Sequence, residues 1–200
     1  MNVILDYGTG NLDSVKNGFE KAGIKTVISK DIEVIQNATS LVLPGVGAFG
    51  DAMADLKRSG LIPFIKAHVD ANKFLFGICL GMQLLFEKGY EYGVHDGLGL
   101  IKGDVKKLEV SRKVPHMGWN TLHLRQAHPI LKYIHENEYV YFVHSFYVKT
   151  ISDVILASTS YEIDVPAIVN YKNIYATQFH PEKSGDVGMC ILNAYKEIIQ

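Results

Sequence analysis

The sequence predicts an α/β fold of three layers, in which a mostly parallel central sheet carries an antiparallel extension. Three observations predict it. Through the first half, short apolar runs alternate with segments of helical periodicity, the pattern of βαβ units. Through the second half, short strand-like runs punctuated by Gly, Asn or Asp dominate, so hairpins replace crossovers. With 200 residues, 48% of them hydrophobic, the chain can bury one sizeable core and stays under the roughly 250 residues at which single cores stop growing. One domain over residues 1–200 is expected.

Taken in order, Asn2 to Asp6 is an apolar run broken by Gly8, Thr9, Gly10 and Asn11. Leu12, Val15, Phe19 and Ala22 then recur at helical spacing up to Gly23. Ile24 to Ser29 and Ser40 to Leu43 read as strands, the second ended by Pro44-Gly45-Val46-Gly47. Asp51 to Lys57 and Leu61 to Ala71 read as helices, with Pro63 in a first turn where its missing N–H costs little. Phe74 to Ile78 is a buried strand that runs into a helix from about Leu80 to Lys88. Strands are then expected at Leu98–Ile101, Val105–Val110, Asn120–Leu124, Tyr139–His144, Val154–Thr159, Ala167–Tyr171 and Ile174–Gln178. A last helix from about Gly185 places Val187, Ile191, Ala194 and Ile198 on one face.

Twenty Lys and Arg against 21 Asp and Glu leave a net charge of −1, with no field to gather nucleic acid or an anionic membrane. The two cysteines, Cys79 and Cys190, lie far apart and lack metal-ligand spacing, which argues against a disulfide scaffold or zinc. The first residues carry no basic, leader-like region. The most apolar run, Phe74 to Phe86, holds two glycines and Gln83 and falls short of the roughly 20 residues of a membrane span. The expectation is a soluble cytoplasmic protein without metal or cofactor.

The sharpest chemical signal is the strand, G-x-C-x-G turn and helix around Gly77, Cys79 and Gly81. Glycines flank a nucleophile in so tight a turn because a Cβ would clash, and the turn thrusts the side chain out at the carboxyl end of the sheet. The helix starting at Leu80 aims N–H groups at the sulfur and favours the thiolate. A cysteine in an apolar strand is more often plain core; the paired glycines reverse those odds. A thiolate needs a base, and His180 with Glu182, two apart on extended chain, can face one side, the acid holding the ring as in a Ser-His-Asp triad. The backbone of Gly45, Val46 and Gly47, with the N–H of Leu80, can donate to a developing oxyanion. The run Gly8 to Asn11 lacks the third glycine of a dinucleotide fingerprint.

Together, Gly77–Gln83 (GICLGMQ), His180-Pro181-Glu182 and Pro44–Gly47 resemble the class I, or triad, glutamine amidotransferases. More narrowly, Asp6–Val15 (DYGTGNLDSV), Leu43–Phe49 (LPGVGAF), Pro115–Asn120 (PHMGWN) and Tyr141–Ser145 (YFVHS) are similar to the glutaminase subunits of imidazole glycerol phosphate synthases, of histidine biosynthesis. The resemblance runs from the first strand to Asn193. It implies the three-layer amidotransferase fold and a glutaminase in which Cys79 attacks the side-chain amide of L-glutamine, His180 moves protons and Glu182 orients His180. Gln83, Glu91 and the main chain around His144, Ser145 and Phe146 would hold substrate.

The same resemblance implies a partner, a (β/α)8-barrel cyclase that receives the ammonia, in a heterodimer. Asn11, Met117, Trp119, Asn120, Tyr141 and Lys183 match positions that face it, and a lone Trp beside Met and Gly is the kind of residue enriched in interface hot spots. The Tyr7 to Asn11 loop would couple partner binding to formation of the oxyanion hole. Two departures, Gly89-Tyr90 before Glu91 where the family typically has a serine, and Lys102 where a proline is common, leave a second acceptor open: a synthase that places nitrogen on surface-polysaccharide sugars. A non-catalytic subunit is disfavoured by the intact triad.

Overall fold

The computed structural model describes all 200 residues. Strands and helices alternate from β1 (Asn2–Leu5) and α1 (Leu12–Lys21) through β2 (Thr26–Ser29), α2 (Ile32–Gln36), β3 (Ser40–Leu43), α3 (Phe49–Arg58), α4 (Ile62–Asp70), β4 (Phe74–Ile78) and α5 (Leu80–Leu84). Strands follow: β5 (Lys88–Gly89), β6 (His95–Asp96), β7 (Asp104–Lys107), β8 (His116–Thr121), β9 (His123–Leu124), β10 (Tyr139–His144), β11 (Phe146–Lys149), β12 (Ile155–Tyr161), β13 (Ile163–Tyr171) and β14 (Ile174–Thr177). Helix α6 (Gly185–Ile198) ends the order.

The central sheet runs β2-β1-β3-β4-β14-β13-β12-β9. Its first five strands are parallel and the last three antiparallel, so the expected extension is present. Two apolar layers of similar size, 26 and 25 buried residues, lie on opposite faces, which makes the sheet the middle of three layers. Val15 and Phe19 of α1 and Ile191 and Tyr195 of α6 fill one face; Ile35, Phe49, Leu56, Ile65 and Leu84 of α2 to α5 fill the other. The central strands β3 and β4 are continuous apolar runs because helices cover both their faces. No helix is long and apolar enough to cross a membrane.

Two expectations fail together, for one reason. The helix expected to reach Lys88 stops at Leu84, and the strand expected at Leu98–Ile101 does not form. The backbone N–H groups of Leu98, Leu100 and Ile101 instead donate to the carbonyls of Leu84 and Leu85 at 2.8–3.0 Å, and that of Gly99 to Phe86 at 3.1 Å. The would-be strand spends its donors capping the helix end, whose last carbonyls need partners. Four elements lie outside the sequence expectation: α2, β5, β6 and β11, the last three in a four-stranded side sheet ordered β11-β7-β5-β6. The pair β10-β8 forms a separate ribbon, with Tyr141 opposite Trp119 and His144 opposite His116.

Candidate active site

Four adjacent parallel strands end at one place. β1 leads into the Tyr7–Asn11 loop, β3 into Pro44–Gly47, β4 into Cys79, and β14 into Gln178 to His180. Ligands of open α/β sheets bind at such carboxyl ends. A cavity of about 360 Å³ opens there, lined by Cys79, His180, Val46, Gly47, Leu80, Gln83, Glu91, His144, Ser145 and Phe146, all given site roles from sequence, together with Pro115 and Val143, which the sequence places in motifs without such a role. Gly45 and Glu182 stand behind this lining.

Cys79 sits at φ 54°, ψ −110°, a left-handed conformation that a residue with a Cβ holds at a cost of about 1–3 kcal/mol. The turn is locked by close approach: a Cβ on Gly81 would lie 1.8 Å from the Leu43 carbonyl oxygen, and one on Gly77 would crowd Leu85, Gly81 and Met82 at 2.9–3.0 Å. Both glycines therefore bring β4, α5 and the end of β3 within backbone contact. Leu80 leads its helix and has no carbonyl one turn back to accept its N–H. At five residues, α5 is too short for much of the dipole expected of it, so the charge opposite the sulfur must come chiefly from elsewhere.

That charge is His180. Its Nδ1 faces Glu182 Oε1 at 2.8 Å, with side chains only 7% and 1% exposed, so the bond is shielded from solvent. Burial alone pushes the His180 ring down, but hydrogen bonding to Cys79 and to Glu182 and the charges of both outweigh it and raise the ring to about 9. Nδ1 is taken by Glu182, which leaves Nε2 for the sulfur. The same turn is tied to the ribbon: the His180 N–H donates to the Tyr141 carbonyl at 3.3 Å, the Ser184 hydroxyl to the His180 carbonyl at 2.7 Å, and the Tyr141 N–H to Ser184 Oγ at 3.0 Å.

The proposed oxyanion segment is held by side chains of the Tyr7–Asn11 loop. The buried Tyr7 hydroxyl donates to the Pro44 carbonyl at 2.6 Å, and the Thr9 hydroxyl to the Val46 carbonyl at 3.0 Å. Burial raises the Tyr7 phenol further above its ordinary value, so it stays a donor. Asn11 is exposed and caps α1, accepting from the Ser14 N–H at 3.3 Å. Glu91 accepts from the Phe49 N–H at 2.8 Å, supplying α3 with the cap that Ala48 cannot.

The other wall is a buried polar chain. The Gln83 amide donates to the Phe146 carbonyl at 2.9 Å and to Gln178 Oε1 at 3.0 Å, and Gln178 Nε2 donates to Cys79 Sγ at 3.8 Å. The Phe146 carbonyl also faces His144 Nδ1 at 2.8 Å; His144 Nε2 meets His116 Nδ1 at 2.9 Å, and His116 Nε2 meets Asn120 Nδ2 at 3.2 Å. Both rings stay neutral, His144 pushed down to about 3 and His116 to about 4, by burial first. A carbonyl at one end assigns Nδ1–H to His144, and each following contact then has one donor and one acceptor. Gln178 is the residue that sequence reasoning missed; it reads there only as the end of a strand.

Beside the cavity, Met117 and Trp119 are 61% and 56% exposed, so the lone Trp is not core. Trp119 packs edge-on to Tyr141 at 6.0 Å between ring centroids. Lys183 is exposed on the turn that carries Glu182. These residues form a surface patch directly behind the His180 turn.

A cysteine elbow, a His–Glu pair and an amide-lined cavity at the carboxyl ends of a parallel sheet define a thiol-dependent amidotransferase. Residues 3–192 match the family model described as glutamine amidotransferase class-I, and the chain belongs to that family. It is similar to proteins named imidazole glycerol phosphate synthase subunit HisH: 50% identical over 198 residues to that of Lactococcus lactis subsp. lactis (strain IL1403), covering 98% of both chains, and 49% identical to that of Geobacillus sp. (strain WCH70), covering 98% of this chain and 96% of the relative. Among solved structures, a glutamine amidotransferase crystal structure aligns with TM-score 0.76 at 19% identity over 98% of this chain and 97% of the other. PurLQS from Thermotoga maritima aligns with TM-score 0.78 at 18% identity over 100% and 98%. At such identities these two carry the fold alone.

Proposed function

We propose that this chain is the glutaminase subunit of an imidazole glycerol phosphate synthase, hydrolysing L-glutamine to L-glutamate and ammonia for a (β/α)8-barrel cyclase that uses the ammonia in histidine biosynthesis. The reading rests on one observation above all: the Cys79–His180–Glu182 line in a cavity walled by Gln83, Glu91 and the 144–146 main chain. The names carried by relatives at about half identity over nearly the full chain support the choice of synthase.

In this reading the Cys79 thiolate attacks the side-chain amide carbon and a C–S bond forms. The negative charge moves to oxygen, where the N–H groups of the Gly45–Gly47 segment and of Leu80 stabilise it. The His180 imidazolium gives its proton to the leaving nitrogen, and ammonia departs as the C–N bond breaks. Water then attacks the thioester carbon, His180 takes its proton, and the C–S bond breaks to release glutamate, leaving the Cys79 thiolate and the His180 imidazolium as at the start. Glu182 holds the ring throughout. No metal or cofactor is needed. The Met117, Trp119, Asn120 and Tyr141 patch, with Asn11 and Lys183, is the proposed partner face; the bonds of Tyr141 to the His180 turn, and those of the loop that carries Asn11 to the Pro44 and Val46 carbonyls, give the partner a route to the triad. The protein works in the cytoplasm as one catalytic domain, residues 1–200.

Glutamate release by the wild type, alone and with the cognate cyclase bound to its nucleotide ligand, tests the reading. Low activity alone and a steep rise in the complex are expected. Full activity in the free subunit, or copurification with a sugar-modifying enzyme and no cyclase, would overturn the coupling or the choice of acceptor respectively.

A further inference from the structure

We propose that Gln178 is a catalytic residue: its side-chain N–H holds the Cys79 sulfur in the thiolate form, opposite the proton taken by His180. This rests on the reading of Cys79 as the nucleophile and adds a second group acting on its sulfur.

The direction of the Gln178 amide is fixed without ambiguity. The Phe146 carbonyl can only accept, so the group that Gln83 turns to it, at 2.9 Å, is its NH2. The same NH2 reaches Gln178 at 3.0 Å, where it must meet Oε1. Gln178 Nε2 is thereby aimed at Cys79 Sγ, 3.8 Å away. Gln178 is fully buried, so water does not compete for this hydrogen.

Thiol and thiolate differ in what they offer that N–H. A thiol sulfur is a weak acceptor and a thiolate a charged one, and hydrogen bonds to charged acceptors are about twice as strong. The geometry around the sulfur matches both states. With its proton, Sγ can donate to the Val143 carbonyl at 3.9 Å; with the proton on His180, Sγ accepts from Gln178 at 3.8 Å. A buried donor left on a poor acceptor disfavours the thiol, so the amide biases the pair toward thiolate and imidazolium. Gln178 sits two residues before His180 on the same chain segment, which places both groups acting on the sulfur at one strand end. Gln178 does not line the cavity; its contact with the reacting atoms is with the sulfur, and it reaches the glutamine-binding wall only through Gln83.

The test uses the full chain with Cys190→Ser, which leaves Cys79 as the only cysteine, in complex with the cyclase. The rate of Cys79 alkylation by iodoacetamide is followed against pH for Gln178 and for two variants. Gln178→Met keeps the length and removes both polar atoms. Gln178→Glu keeps an acceptor for Gln83 and replaces the donor by a carboxylate.

In both variants the midpoint of the alkylation profile is expected to move up by about one pH unit, with alkylation slowed up to about tenfold at pH values below the parent's midpoint. The kcat for glutamine should fall by a similar factor, with KM changing less than twofold in Gln178→Glu, which keeps the acceptor for Gln83. Profiles superimposable on the parent, in either folded variant, would overturn the proposal, because a merely structural role would change yield or stability and leave the midpoint in place. Failure of Cys79 to alkylate in the parent would instead overturn the reading of Cys79 itself, and the proposal with it.

Discussion

Cys79 occupies a backbone conformation that its own side chain disfavours, and the residues around it explain why the conformation persists. Gly77 and Gly81 admit the contacts that hold the turn, while Glu182, His180 and Gln178 converge on what the turn presents. Glu182→Gln tests the residue-scale account. The amide keeps the size of the carboxylate and loses its charge, so one of the two groups that lift His180 to about 9 is gone. The ring should titrate at lower pH, bringing down the upper limit of the thiolate–imidazolium window, and kcat should fall by roughly 10²–10⁴. Glutamine hydrolysis and alkylation profiles measure both, and an unchanged profile would contradict the role given to Glu182. The cavity residues were legible in the sequence because local motifs carry most of them. Gln178 was not, because its partners Gln83 and Cys79 lie 95 and 99 residues away along the chain.

Elements that are buried on both faces and bounded by breakers were read to the residue: β3 and β4 coincide with Ser40–Leu43 and Phe74–Ile78. Elements whose ends depend on distant partners were not. Leu80–Lys88 looked like one helix because Leu84, Leu85 and Phe86 are apolar, but that stretch turns to receive the Leu98–Ile101 donors. Helix α2 has only five residues, too few for periodicity to show. Its one local signal was the capping Asp31, which accepts from the Glu33 N–H at 2.8 Å. At this scale α1 makes a distinct prediction. A Cβ on Gly18, in the middle of that helix, would lie 2.5 Å from Glu182 Cβ, so the glycine is what lets the helix pass the triad acid. In an isolated helix Gly18→Ala would gain about 1 kcal/mol of propensity. Here overpacking should reverse that into a net loss of about 1–2 kcal/mol and cut kcat at least tenfold by displacing Glu182. Urea unfolding paired with glutamine kinetics measures both; a stabilised, fully active variant would show that the contact does not position the acid.

For the whole molecule, the three-layer architecture buries histidines that do not act on the sulfur. Burial first, in each case, pushes His68 and His116 down to about 4 and His144 to about 3. From pH 6.5 to about 4 the unfolded chain binds protons at these positions that the folded protein refuses, so stability should fall as the pH falls through that window. His180 acts in the opposite direction and higher up, because with its ring held near 9 it is protonated in the folded protein throughout that window. It adds stability as the pH falls from about 9 to 6.5, offsets part of the loss between about pH 7 and 6, and adds little slope below that. Each histidine contributes at most about 1.4 kcal/mol per pH unit. Urea midpoints at pH 7, 5.5 and 4.5 should therefore decline, with His68→Gln removing part of the slope; a flat series would contradict the neutral burial of these rings. The same architecture places the aromatic patch of β8 and β10 behind the His180 turn and the Tyr7–Asn11 loop beside Pro44–Gly47, so a partner docked at that edge would touch elements that reach both the base and the oxyanion segment.

The central claim, that Cys79 is the nucleophile of a glutaminase, is tested most directly by treating the chain, in complex with its cyclase, with 6-diazo-5-oxo-norleucine and locating the adduct by peptide mass spectrometry. One adduct on Cys79 is expected, absent from Cys79→Ala and suppressed by excess glutamine. No adduct on Cys79 with the partner present, or an adduct on Cys190 instead, would contradict it.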